Sequence, residues 1–262
     1  MKSFNSAVSR AAPVLLENDE PAAFELINAK GRNTLLLIAD HASNRVPRCL
    51  QQLGLSEEIL ASHIAWDAGT ADVARQLSKL LDAPLLLSNY SRLVIDCNRA
   101  ATSAESILQE SDGVRIPANE DLSDEHIASR ISAVFDPYHA AITEFLEARK
   151  DENMAMLSIH SFSPSLQGKA RPWSIGVCYG DDPRLADALL PQLSKVTPGL
   201  VGDNEPYSIE DDVDYSLPYH ATSRGLPHVM LEIRRDQIES ANSAQHYAQL
   251  IHTAWLNIES AV

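Results

Sequence analysis

Five apolar residues in a row, Leu35-Leu36-Leu37-Ile38-Ala39, run without a break into Asp40-His41-Ala42-Ser43-Asn44. A run of that bulk and length reads as a strand buried on both faces, the habit of a parallel sheet covered by helices on each side. Polar residues just past the C-terminal end of such a strand sit where open α/β sheets place their ligands. The pattern recurs three times. Met154-Ala155-Met156-Leu157 leads to Ser158-Ile159-His160-Ser161-Phe162, Leu93-Val94-Ile95 leads to Asp96-Cys97-Asn98-Arg99, and His228-Val229-Met230-Leu231 leads to Glu232-Ile233-Arg234. Convergence of these four ends predicts one metal-assisted hydrolytic site.

The rest of the chain supplies the helices such a sheet needs. Ser56-Glu57-Glu58 opens a short helix with a capping serine and two acids in its first turn. Val73, Leu77, Leu80 and Leu81 recur at helical spacing after the break Trp66-Asp67-Ala68-Gly69, and Leu85–Leu87 reads as a short strand. Ser123 caps a long helix that Pro137 kinks, and Ser240 opens the closing helix. Phe24 lies in a stretch, 22–29, that reads as an edge strand or a surface segment. Residues 100–122 and 163–172 read as long loops, and long loops inside a domain are more often functional than idle. Strands alternating with helices predict a largely parallel sheet with helices on both faces. No repeat, low-complexity tract or linker interrupts the chain, so residues 1–262 read as a single domain.

Charge narrows the partners. The 36 acidic and 21 basic residues leave a formal net charge of −15, which argues against nucleic acid or an anionic membrane as partner. No apolar run reaches the ~20 residues that span a bilayer. Three cysteines, Cys49, Cys97 and Cys178, are too few for a disulfide framework and point to a reducing, cytoplasmic setting. Residues 1–13 read as frayed and carry no apolar core of a secretory signal. The sequence reveals no oligomeric state.

Three groups carry candidate chemistry. His41 and His160, at two separate strand ends, are the residue types zinc prefers, and a catalytic zinc site adds an oxygen ligand and keeps one position for water. That third ligand is Asp67 or Asn44; Asp67 is equally a helix cap, and Asn44 offers only a neutral amide oxygen. Asp40 is placed to orient its neighbour His41. Asn98 and Arg99 form the second group: an Arg fork and an amide suit a carboxylate, the alternative being a surface ion pair between Asp96 and Arg99. Arg92 and Arg171 are further candidates for the substrate's carboxylates. Glu232 is the third, a carboxylate inside an apolar strand, which needs a partner. It is either a base beside an activated water or one end of a salt bridge to Arg234 or Arg235. Motifs for serine hydrolases, dinucleotides, phosphate loops, H-E-x-x-H zinc sites and C-x-x-C pairs are all missing.

Taken in order, Asp40-His41-Ala42-Ser43-Asn44-Arg45-Val46-Pro47, Trp66-Asp67-Ala68-Gly69, Ser91-Arg92-Leu93-Val94-Ile95-Asp96-Cys97-Asn98-Arg99, Ser158-Ile159-His160-Ser161-Phe162 and Leu231-Glu232-Ile233-Arg234 resemble the N-formylglutamate amidohydrolase family. The resemblance spans roughly residues 35 to 240. It implies a three-layer α/β/α domain with a mixed, mostly parallel sheet, similar to zinc carboxypeptidases and aspartoacylases. It implies one Zn²⁺ and cleavage of the formyl or other small acyl amide of an N-acyl amino acid, such as N-formyl-L-glutamate. By the same resemblance His41 and His160 are metal ligands, Glu232 is the base, and Asn98 with Arg99 holds a substrate carboxylate. The position three residues after His41 departs from the carboxypeptidase pattern, which has Glu where this chain has Asn44. Asp67 then becomes the third ligand, and Asn44 joins Arg92, Asn98, Arg99 and Arg234 as a substrate-binding candidate. The partner expected is a small anionic N-acyl amino acid. Two competing expectations are a related amidase acting on another N-acyl amino acid or a peptidoglycan-type amide, and a non-catalytic protein that binds an acidic metabolite.

Overall fold

Successive residues of a strand leave in opposite directions, and here that alternation divides the core in two. Leu35, Leu37 and Ala39 join one apolar cluster, and Leu36 and Ile38 join another. The computed structural model describes residues 14–210 and 213–258, so the readings of residues 1–13 lie outside the described residues. Seven strands, β1 Phe24–Ile27, β2 Leu35–Ala39, β3 Leu85–Ser88, β4 Ala155–Phe162, β5 Trp173–Cys178, β6 Leu200–Asp203 and β7 His228–Arg234, form one sheet in the order β1-β3-β2-β4-β7-β5-β6. The pairs β3–β2, β2–β4, β4–β7 and β5–β6 are parallel. The pairs β1–β3 and β7–β5 are antiparallel.

Helices cover both faces. On one, α2 (Thr70–Leu81), α5 (Arg184–Val196) and α7 (Ala241–Leu256) bury Val73 and Leu77, Leu185 and Leu189, and Tyr247 and Ile251. On the other, α4 (Asp136–Ala148) buries Tyr138, Ile142 and Leu146, joined by Leu217 of α6 (Ser216–His220) and by the segment Tyr90 to Cys97. The architecture is therefore a three-layer α/β/α domain with a mixed, mostly parallel sheet. The caps act where the sequence places them. Ser56 accepts from the Ile59 amide ahead of α1 (Glu57–Leu60), Ser123 from the His126 amide ahead of α3 (Asp124–Arg130), and Ser240 with Ser243 closes a capping box on α7.

Four segments differ from their sequence reading. Leu93-Val94-Ile95 is buried but turns rather than extends. Its carbonyls find side chains instead of a neighbouring strand: Asn119 Nδ2 donates to Leu93 O at 2.9 Å, and the buried Arg130 donates to Val94 O at 2.9 Å. The long helix is not simply kinked at Pro137. Between α3 and α4 lies a wider π turn, Ile131–Phe135, and Pro137 follows it directly in the first turn of α4. The two long loops each contain a two-residue hairpin, Glu110–Ser111 with Val114–Arg115 and Ser165–Leu166 with Lys169–Ala170. Beyond α5 lies the edge strand β6.

Candidate active site

Three of the four runs expected to converge do so as strands, and the fourth, which carries Asn98 and Arg99, reaches the same site from a turn. His41 follows β2, His160 lies in β4 and Glu232 in β7, and Glu232 is the register partner of His160. Asp67 reaches them from the break before α2. Its backbone N–H donates to His41 O at 3.0 Å, which ties that turn to the end of β2. Gly69 makes the turn possible. Its φ is +89°, and a Cβ there would stand 2.3 Å from the carbonyl oxygen of Ile238. A second glycine shapes the opposite wall. At Gly176 of β5 a Cβ would meet Glu205 O at 2.0 Å, so only glycine lets the segment carrying Asn204 to Ser208 cross the strand beside Glu232.

His41, Asp67 and His160 are all buried, and one ligand atom from each lies within 4.8 Å of the others. Asp67 Oδ2 is 3.2 Å from His160 Nδ1 and 3.5 Å from His41 Nδ1. Ligand atoms around a tetrahedral ion with bonds near 2.0–2.1 Å are about 3.3 Å apart, and both Asp67–imidazole distances fall near that spacing. Each imidazole turns its other nitrogen to a second carboxylate. His41 Nε2 is 2.7 Å from Asp96 Oδ1, and His160 Nε2 is 3.2 Å from Asp40 Oδ2. A carboxylate behind each histidine fixes the ring and its tautomer.

These supporting carboxylates are themselves held. Asp40 accepts from Tyr138 Oη at 2.8 Å, Ser216 Oγ at 2.7 Å and Ser158 Oγ at 3.3 Å. Asp96 accepts from Arg92 Nη2 at 2.6 Å and from the Asn98 amide at 2.8 Å. Asp40 thus serves His160 and not the adjacent His41, whose Nε2 faces Asp96. Asp96 is no surface partner of Arg99: it is buried beneath His41.

The electrostatics follow from that packing. Burial pushes the Asp67 carboxyl up, but hydrogen bonds from His160 and His41 outweigh it and hold the group well below the usual carboxylate range. Burial likewise lowers both imidazoles, yet facing carboxylates raise His160 well above its ordinary value and, against Arg92 as well, raise His41. Glu232 behaves the other way. Burial, opposed by His160, His41 and Arg92 and aided by Asp67, pushes it up to about 7. Its Oε2 is buried with no hydrogen-bond partner among the described residues. Neither Arg234 nor Arg235 pairs with it. Arg234 binds Asp236 at 2.8 Å and donates to Arg171 O.

His41, Asp67, His160 and Glu232 open onto a cavity of about 500 Å³, whose walls also include Arg92, Asn98 and Arg99. Asn44 is not among its lining residues; its amide donates to Leu60 O at 3.0 Å. Arg234 also stays outside the cavity. Arg171 stacks 4.9 Å above Tyr207, a cavity residue. The sequence reading missed the second tier, namely Tyr138, Ser158, Ser216 and the true partner of Asp96, and it missed Tyr207 and Asp214 in the cavity wall. Ser158 carried one legible signal, a hydroxyl two residues before His160 on the same side of a buried strand.

The fold and the cluster define an α/β domain with a candidate metal-ligand cluster at the ends of its central strands. The family model described as N-formylglutamate amidohydrolase matches residues 33–239, and the chain belongs to that amidohydrolase family. A gene product of Agrobacterium tumefaciens has a similar structure, with TM-score 0.88, 35% identity and coverage of 94% of this chain and 99% of that one. The N-formylglutamate amidohydrolase of Ralstonia eutropha JMP134 shares the fold at TM-score 0.68 and 18% identity, covering 92% of this chain and 98% of that one. No curated protein sequence matches the chain. No described helix is long and apolar enough to cross a membrane.

Proposed function

We propose that the protein is a zinc-dependent amidohydrolase that removes a formyl or other small acyl group from an N-acyl amino acid, such as N-formylglutamate. One observation carries this reading. A two-imidazole, one-carboxylate cluster, each imidazole backed by a second carboxylate, stands beside a buried carboxylate with a free oxygen. His41, Asp67 and His160 are the residues that would hold the ion, and their donor types suit zinc. When bound, such an ion polarises the acyl oxygen and makes a water more acidic.

The protein's own groups account for the rest. Glu232, raised to about 7, is poised to accept a proton from water as it attacks and to return it to the departing amine. Asp40 and Asp96 hold the two imidazoles in the orientation that keeps Nδ1 directed at Asp67. Arg99, Asn98 and Arg92 line the cavity and supply the candidate contacts for a substrate carboxylate. The engagement of Asn44 with Leu60 favours Asp67 as the third ligand.

A related activity on a different N-acyl amino acid stands as the second reading, because the Asn98–Arg99 pair already carries an internal carboxylate, Asp214. Metal analysis of the purified protein, together with release of formate or acetate from a panel of N-formyl and N-acetyl amino acids, separates the possibilities. The proposal expects about one zinc per chain and formate release. A protein that holds no divalent ion and hydrolyses none of the panel is not this enzyme.

A further inference from the structure

Two guanidinium groups face the cavity, and each is already matched by a carboxylate. Arg92 is held by Asp96 at 2.6 Å beneath His41. Arg99 Nη1 lies 3.3 Å from Asp214 Oδ1, with Glu105 3.5 Å from its Nε. The same Asp214 oxygen accepts from Asn98 Nδ2 at 2.9 Å. One carboxylate oxygen thus takes an amide N–H and a guanidinium N–H together, which is the pairing these two side chains offer any carboxylate. Asp214 lines the cavity rather than the protein interior, and its other oxygen accepts the Glu210 amide at 3.1 Å.

We infer that Asp214 is an internal stand-in for a substrate carboxylate, occupying the Asn98–Arg99 seat and setting which anions the cavity accepts. The inference rests on the reading of this cavity as an N-acyl amino acid site. A second anion cannot join Asp214 there without strong like-charge repulsion, so a substrate carboxylate must take its place. The exchange is isoelectric at Arg99. One carboxylate leaves for water and another arrives, and the guanidinium is never left bare. The seat therefore discriminates by competition. A neutral end group can accept from the same two donors but brings no charge to replace that of Asp214, so the competition disfavours it.

Asn98 has a separate duty that the exchange leaves intact. Its Oδ1 accepts the Tyr215 and Ser216 amides at 3.1 and 3.0 Å and so holds the start of α6. Only its Nδ2 takes part in the seat. Asp214→Asn tests the competition, because asparagine keeps an acceptor for the Glu210 amide while removing the charge.

The probes are glutarate, a dicarboxylate, and glutaramide, its neutral counterpart, each titrated by calorimetry into the full-length protein. Asp214→Asn is expected to tighten glutarate about ten-fold, the worth of one freed charge-assisted hydrogen bond, while glutaramide moves less than about two-fold. Adding Arg99→Met to Asp214→Asn is expected to abolish the gain. Asp214→Ala gives a second variant for the same comparison. The proposal is overturned if glutarate binds the variants no more tightly than the wild type, or if both probes shift together. If glutarate tightens while no N-acyl amino acid is hydrolysed, the carboxylate seat stands and the hydrolase reading falls.

Discussion

Glu232 and His160 are register partners on adjacent parallel strands, yet the Glu232 Oε2 has no hydrogen-bond partner among the described residues. Leaving a buried carboxylate oxygen bare costs on the order of 1–3 kcal/mol, a penalty a structural side chain would not be expected to keep. The placement makes sense if a water or substrate proton completes it. Glu232→Gln is therefore expected to lower kcat by roughly 10²–10⁴-fold, the range for a lost general base. Metal content should stay at the wild-type level, since Glu232 is not one of the three clustered donor residues. Steady-state kinetics and metal analysis of the same preparation check both halves. Near wild-type turnover in the glutamine variant would remove Glu232 from the chemistry.

The ligands and their supports separate by degree. His160→Ala removes a donor from the cluster, so metal retention and activity should be lost together. Asp96→Asn and Asp40→Asn leave all three ligands in place and weaken only what orients them. Losses of roughly 10–100-fold in metal affinity are the expectation for such outer partners. Competition against a chelator of known affinity measures this. Identical affinities in wild type and both asparagine variants would mean the outer carboxylates are there for folding alone.

Much of this was legible in the chain, for a physical reason. Leu35–Ala39 and Val229–Ile233 are buried on both faces, so their apolar runs announce central strands, and the polar residues that break the runs mark the site. What stayed hidden depends on contacts distant in sequence. Tyr138 meets Asp40 across 98 positions and Ser216 meets it across 176, and no local pattern encodes either. Leu93–Ile95 misleads because a run of buried apolar residues looks the same whether its carbonyls meet a strand or, as here, Asn119 and Arg130. The Asn98–Arg99 pair was visible, but Asp214, which holds it, lies 115 positions from Arg99.

The turn that delivers Asp67 is a sensitive point away from the cavity. Gly69 combines a left-handed φ of +89° with a carbonyl oxygen 2.3 Å from where a Cβ would stand. An alanine in that backbone region costs about 1–2 kcal/mol before the clash with Ile238 is counted. Gly69→Ala should lower the unfolding free energy measured in urea by at least that much and, because Asp67 lies two residues upstream, weaken metal retention as well. A stable variant with reduced metal affinity would separate the two effects, and a variant unchanged in both would show that the turn relaxes freely.

Behind Asp40 lies a buried histidine pair whose tautomers the geometry dictates. His139 Nε2 is 2.9 Å from Cys97 O, a group that can only accept, so that nitrogen carries the proton. His139 Nδ1, 2.9 Å from His220 Nε2, then accepts from it, which leaves His220 Nδ1 bare and without a partner among the described residues. Burial lowers His139 to about 4 and, with His139 adding to it, lowers His220 to about 3. Both values lie below the ordinary 6.5, so between pH 6.5 and 4 the unfolded chain binds more protons than the folded one. The stability this pair contributes is complete above pH 6.5 and is lost as pH falls through that window. In the metal-free protein His41 and His160 are raised instead, so their contribution is present at low pH and lost as pH rises through their folded values. A difference measurement therefore isolates His220. Urea unfolding of wild type and His220→Gln at several pH values between 6.5 and 4 should show the variant's pH dependence flatter by about one proton, ~1.4 kcal/mol per pH unit. Parallel curves would mean that His220 is already protonated in the folded protein, contrary to the hydrogen-bond chain that ends at its bare nitrogen.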